Sequence, residues 1–235
     1  MRIAALQKNS FIDYPDHLSC VLFLRGCNFT CPYCHNPDLV RSRGVETGLS
    51  DIPIGDVLAF LEKRRGMLEG VVLTGGEPTL HPDLPELCRR IRNLGYPVKL
   101  DTNGSRPEML AFLIREGRVD YLAMDVKTAP ERYAPLIWPG ADPEAIRESI
   151  RLVRNAGLPH EFRTTCVTPP VDAAAVAVIA DLIAGADRYA LQRFSDAAVL
   201  QPAFFGESGG RAATPEEMEH FRTLAAPRVG RCEIR

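Results

Sequence analysis

The chain has 235 residues, 46% hydrophobic and 25% charged, which suits one ordinary globular domain with a full core. Its 28 basic and 30 acidic residues leave a net charge of −2, and no basic stripe marks a nucleic-acid footprint. Met1-Arg-Ile-Ala-Ala-Leu-Gln-Lys8 lacks the apolar centre of a signal peptide, and no apolar stretch is long enough to span a bilayer, so a cytoplasmic location is expected.

Short apolar runs alternate with helical patterns along the chain. The first run covers residues 20–24 and leads straight into the cysteines at 27, 31 and 34. A weak helical pattern at 54–65 precedes a second run at 70–73. Leu84, Leu87, Cys88, Ile91 and Leu94 then form one helical stripe that stops at Gly95. After a run at 98–101, Ser105-Arg-Pro-Glu108 reads as a capping box, with Met109, Leu110, Leu113 and Ile114 inward and Gly117 closing. A run at 121–125 is followed by a helix opened by Asp142-Pro143, carrying Ile146, Ile150 and Val153. The run at 161–166 precedes a helix with Val176, Ile179, Leu182 and Ile183. The last run, 189–192, is followed by Thr214-Pro-Glu-Glu217, which caps a helix with Met218, Phe221 and Leu224.

The six runs are continuous rather than alternating, as in strands buried on both faces. Runs each followed by a helix imply an α/β fold with a parallel sheet and right-handed crossovers. Periodicity does not separate a doubly wound sheet from a (β/α) barrel. Either gathers ligands at the carboxyl ends of its strands. A single domain over 1–235 is expected, with a core of about residues 18–194 and a C-terminal extension over 195–235 of unassigned role.

The residues with chemistry lie where that rule puts them. Cys27, Cys31 and Cys34 offer three soft thiolates from one loop, suited to an iron–sulfur cluster, zinc or copper(I). Zinc would need His35, adjacent to Cys34, as the fourth ligand, whereas structural zinc sites pair ligands from two segments. A redox C-x-x-C pair leaves Cys27 unexplained. The other cysteines, at 20, 88, 166 and 232, are scattered and read as core or surface residues. After the second run, Gly75, Gly76 and Glu77 combine backbone freedom with an acceptor for an ammonium group. Asp101 and Thr102 follow the third run, and Asp125 and Lys127 the fourth. Lys127 can meet a carboxylate as a point charge, and the oxygens of Asp101, Thr102 and Asp125 suit a small cation. Arg163 lies inside an otherwise apolar run, where it is costly unless paired.

Cys27-Asn-Phe-Thr-Cys31-Pro-Tyr33-Cys34, with an aromatic before the last cysteine, resembles the signature of the radical S-adenosylmethionine (SAM) superfamily. The resemblance implies that Cys27, Cys31 and Cys34 ligate a [4Fe–4S] cluster, with Tyr33 beside it and SAM on the fourth iron. It implies that Gly75, Gly76 and Glu77 hold the methionine amino group, that Asp101, Thr102, Asp125 and Lys127 form a SAM carboxylate and monovalent-cation site, and that Arg163 contacts SAM. At 191–194, where some relatives present a His, only Gln192 and Arg193 are available. Catalysis would be borne by the cofactor, with no protein catalytic residue. Six runs rather than eight fit a partial (β/α)6 barrel of the TIM type, with outer helices.

Ser10-Phe-Ile-Asp-Tyr-Pro15, Phe23-Leu-Arg-Gly-Cys27 and Tyr33-Cys-His-Asn-Pro37 are similar to glycyl-radical activating enzymes, above all the activator of anaerobic ribonucleoside-triphosphate reductase. That likeness implies an oxidoreductase that cleaves SAM reductively and places a radical on a glycine of a partner, the large subunit of the anaerobic reductase. A flavodoxin- or ferredoxin-type donor would supply the electron; neither nucleic acid nor membrane is an expected partner. The alternatives are a pyruvate formate-lyase-type activating enzyme, a small-molecule radical SAM enzyme and, more distantly, a non-catalytic zinc-binding module.

Overall fold

The computed structural model describes every residue except 42–49, 135, 136, 138, 139, 141, 196–198, 207 and 208. Part of the 195–211 stretch of the expected extension therefore lies outside the described residues. The chain falls into two compact units. One comprises Met1–Asn28, Asp38–Thr102 and Glu108–Leu122; the other comprises Phe29–Pro37, Asn103–Pro107 and Ala123–Arg235.

The first unit begins with β1 (Ile3–Ser10), which pairs antiparallel with β2 (Ser19–Leu24), Ile3 opposite Leu24 and Ser10 opposite Ser19. The chain then passes through α1 (Pro37–Arg41) and α2 (Ile54–Lys63) to β3 (Gly70–Gly75), parallel to β2. Next, α3 (Leu84–Asn93) buries Leu84, Leu87, Cys88 and Ile91 as one stripe and returns the chain to β4 (Val98–Thr102), parallel to β3. Every residue of β4 is buried, including Lys99. α4 (Pro107–Arg115) turns Leu110 and Leu113 inward and leads to β5 (Tyr121–Asp125), whose first two residues belong to this unit. Asp120 fixes the entry to β5: its N–H donates to Val98 O at 2.8 Å and its Oδ2 accepts from Val98 N–H at 2.8 Å.

In the second unit, α5 (Pro143–Arg154) is capped by Asp142, whose carboxylate accepts from Glu144 N–H, and buries Ile146, Ile150 and Val153. β6 (His160–Thr168) pairs parallel with β7 (Arg188–Arg193) across α6 (Ala173–Leu182). The extension is structural: α7 (Ala203–Gly206) precedes β8 (Arg211–Ala212), which lies antiparallel on the end of β6. α8 (Pro215–Ala225) packs against α6, and β9 (Arg231–Ile234) continues the sheet, parallel to β7. Gly104 needs its glycine, since φ is +74° and a Cβ would lie 2.1 Å from Met124 Cε.

All six expected runs are strands, most of them longer than the apolar stretch itself. The additions are β1, β8 and β9, so the sheet is mostly parallel with antiparallel members. The architecture is mixed α/β with helices between strands. Among the described residues no helix is long and apolar enough to cross a membrane.

The capping box at α8 is complete: Thr214 Oγ1 accepts from Glu217 N–H at 3.2 Å, and Glu217 Oε2 accepts from Thr214 N–H at 2.8 Å. Thr214→Ala is expected to cost about 1 kcal/mol and lower Tm by roughly 2–4 °C, read by thermal unfolding. No shift would show that α8 draws nothing from its cap.

Candidate functional site

In the first unit, the arm that leads from β2 to Cys27 is fastened to the loop after β3 by main-chain bonds. Gly76 N–H donates to Leu24 O and Glu77 N–H to Gly26 O, each at 2.8 Å. The approach is so close that side chains have no room. A Cβ on Gly75, at φ +118°, would lie 2.4 Å from Leu24 N, and one on Gly76 only 2.0 Å from Gly26 O. These glycines thus allow close contact between the end of β2 and the loop after β3.

Glu77 is fully buried, and its Oε1 accepts from Thr79 N–H at 3.0 Å, from the Thr79 hydroxyl and from Thr102 Oγ1 at 2.8 Å. Its carboxylate therefore locks the loop to the end of β4. Asp101, beside Thr102, is ion-paired with Lys99. The arm has a second anchor in the buried Arg25 side chain, whose Nε is 2.5 Å from Asp51 Oδ1. His81 Nε2 lies 2.9 Å from Arg25 O. A carbonyl only accepts, so Nε2 carries the hydrogen, and burial pushes the imidazole pKa down, favouring this neutral form.

In the second unit, Asp125 at the end of β5 accepts from Arg163 Nε at 2.8 Å on one oxygen and from Lys127 Nζ at 3.0 Å on the other. Burial alone would raise its pKa, but the two cations outweigh burial and hold the carboxyl well below the usual range. For Lys127, burial works to lower the pKa; Asp125 and then Cys31 oppose it and win, so the ammonium stays charged. Lys127 is thus within electrostatic reach of the Cys31 sulfur. Tyr33 is buried here, with its hydroxyl 3.5 Å from Lys127 O. Lys127 N–H in turn donates to Tyr133 Oη at 3.0 Å.

The cysteine loop is held from the C-terminal extension. Gln201 N–H donates to Pro32 O at 3.0 Å and its Nε2 to Thr30 O at 3.2 Å. His35 rests against Phe194, with centroids 5.3 Å apart, and Phe194 stacks on Phe205 at 4.9 Å. Gln192 is half-buried and Arg193 exposed at the end of β7. Sequence reasoning missed Lys99, Arg25 and Gln201. The one local signal was Lys99, a charge inside an apolar strand two residues before an Asp.

The donor set suits a cluster. Cys27 and Cys34 are half-exposed and Cys31 is buried, and none of the three is in a disulfide. By contrast Cys20, Cys88 and Cys166 are fully buried, and burial pushes each thiol up to about 12, as for inert core cysteines. Among the described residues no three His, Cys, Asp or Glu side chains are gathered closely enough to hold a metal ion. The ligand assignment therefore rests on the spacing and softness of the three thiols.

Residues 21–183 match the model of the radical SAM superfamily. The chain belongs to the radical SAM superfamily. A Methanocaldococcus jannaschii protein named "Putative glycyl-radical enzyme activating enzyme" is 36% identical over 190 residues, covering 79% of this chain and 76% of that protein. The 7-carboxy-7-deazaguanine synthase of Aquifex aeolicus is 35% identical over 82 residues, 35% of this chain and 34% of that protein. A protein named "Probable GTP 3',8-cyclase" from Halobacterium salinarum is 29% identical over 216 residues, 89% of this chain and 56% of its own length. Among solved structures, Streptococcus suis SuiB bound to S-adenosylmethionine has a TM-score of 0.63 at 12% identity, over 92% of this chain and 51% of SuiB. That likeness shows the fold; the chain spans about half the length of the SuiB structures it matches. Membership makes this a radical SAM enzyme and implies a [4Fe–4S] cluster and SAM.

Two tests address the loops. Gly76→Ala, whose methyl meets the Gly26 carbonyl, is expected to cost about 1–3 kcal/mol in urea unfolding and to lower iron incorporation on reconstitution; wild-type values for both would refute the close approach. Asp125 has a depressed folded pKa, so its pairing stabilises fully above pH of about 4 and fades as pH falls further toward that value. The wild-type advantage over Asp125→Asn, read from denaturant midpoints, should therefore shrink below pH of about 4; a gap that stays constant there would count against the pairing.

Proposed function

We propose that this enzyme is a glycyl-radical activase whose partner is the large subunit of an anaerobic ribonucleotide reductase. The observation that carries the reading is the buried group of Asp125, Lys127 and Arg163 within electrostatic reach of Cys31. Identity of 36% to a protein named as a putative activating enzyme, over 79% of this chain, supports the activase class.

In this reading Cys27, Cys31 and Cys34 hold three irons of the cluster, and the fourth is left for the amino and carboxylate groups of SAM. The loop of Gly75, Gly76 and Glu77 receives the amino group. Lys127 receives the carboxylate as a fixed positive charge, oriented by Asp125 and accompanied by Arg163. Asp101 and Thr102 are held by Lys99 and Glu77, and Tyr33 keeps water from the cysteine side. When bound, cluster and cofactor supply the reductive cleavage of SAM and the hydrogen-atom abstraction from a glycine Cα. A flavodoxin- or ferredoxin-type donor fits the need for one low-potential electron.

The test is anaerobic incubation of the reconstituted enzyme with SAM, a reductant and the reductase. A glycyl doublet by electron spin resonance, with 5′-deoxyadenosine release that depends on the reductase, is the expected outcome. A doublet formed only on a pyruvate formate-lyase would move the partner within the class. Deoxyadenosine release that needs a nucleotide or purine instead would support the small-molecule reading, to which the relatives named as deazaguanine synthase and GTP cyclase lend weight. Zinc alone after reconstitution, without cluster absorbance, would refute the enzyme.

A further inference from the structure

Resemblance to activating enzymes implies a monovalent cation held by oxygens of Asp101, Thr102 and Asp125. Each of those side chains is engaged by the chain itself. On β4, Lys99 and Asp101 stand two residues apart and so share one face of the strand. The Lys99 ammonium bonds to Asp101 Oδ1, with the lysine side chain 1% exposed and the aspartate 11%. The ring of Tyr121 faces the same ammonium, 5.8 Å from its centroid. Thr102 Oγ1 donates to Glu77 Oε1. In the other unit, Asp125 has Arg163 on one oxygen and Lys127 on the other.

A lysine this deep in a strand carries a desolvation penalty that only a partner charge offsets. Packing alone would be served better by an apolar side chain of β4's own kind, such as Val98 or Leu100. The ammonium is therefore there for the carboxylate. A metal cation at Asp101 would have to share that carboxylate with a fixed positive charge in a poorly solvated place, where like-charge repulsion is weakly screened.

We propose that Lys99 is the built-in cation of this site. Its ammonium neutralises Asp101 where a monovalent metal ion would otherwise sit, and the enzyme binds SAM without K⁺ or Na⁺. Lys99 acts through Asp101 and is a positioning residue. The proposal rests on reading these strand ends as the SAM site.

The test follows thermal unfolding and SAM affinity of the reconstituted enzyme at equal ionic strength in potassium, sodium or tetramethylammonium chloride, for wild type and Lys99→Met. Wild type is expected to keep the same Tm and, within about twofold, the same SAM dissociation constant in all three salts. Lys99→Met is expected to gain roughly 5–10 °C in potassium over tetramethylammonium, the rise due to a cation present at about a hundred times its dissociation constant. A wild-type Tm or SAM affinity that rises with either metal ion overturns the proposal, whether or not the variant folds. A folded Lys99→Met that stays indifferent to the cation overturns it too. If SAM moves Tm in none of the salts, it is the SAM reading that fails, and Tm across the salts still decides the role of Lys99.

Discussion

Asp125 is held between two cations, Arg163 at 2.8 Å and Lys127 at 3.0 Å, and much of the second unit's site depends on that arrangement. Asp125 or Lys127, buried alone, would be driven toward its neutral form, and a lone Arg163 would carry its full desolvation cost as a charge. Together they stay charged and fixed, because Asp125 meets both cations and outweighs their mutual repulsion. Lys127 then remains a positive charge, and its backbone is held by the hydroxyls of Tyr33 and Tyr133. A fixed ammonium in a poorly solvated wall can receive a carboxylate with little reorganisation, which is what an amino-acid-bearing cofactor requires.

The first unit solves the same problem with different chemistry. Its two loops are joined by peptide groups, so close that Gly75 and Gly76 admit no Cβ, and the buried Glu77 accepts from two hydroxyls and a main-chain N–H. Asp101 is neutralised from its own strand by Lys99. Motif residues that a sequence reader assigns to a ligand thus serve the loop's own architecture as well. Rigid loops suit cofactor chemistry, in which the protein's task is to orient the reacting groups and exclude water.

The C-terminal extension illustrates how segments without a strong pattern acquire a role. Residues 195–211 carry no periodicity, yet Gln201 makes two hydrogen bonds to the cysteine loop. β9 reads Arg-Cys-Glu-Ile and β1 mixes Gln, Lys and Asn with apolar residues. β9 has no continuous apolar run, and the one in β1, Ile3-Ala-Ala-Leu6, gives way to polar residues; neither strand is buried on both faces. Their place in the sheet is set by backbone pairing with β7 and β2, which leaves no side-chain signature.

Local pattern in the sequence was enough for the six apolar strands, the helices between them, the caps at Asp142 and Thr214, and the three-thiol spacing. Each follows from residues within about a dozen positions of one another, where periodicity, capping and turn chemistry act directly. The placement of Asp101, Asp125 and Lys127 at strand ends was legible for the same reason. Tertiary structure alone decided which charge meets which. Arg163 and Asp125 are 38 residues apart, Thr102 and Glu77 25, and Gln201 and Thr30 171. The free energy of a buried polar group depends on the neighbours that folding brings to it, and no local pattern carries that information.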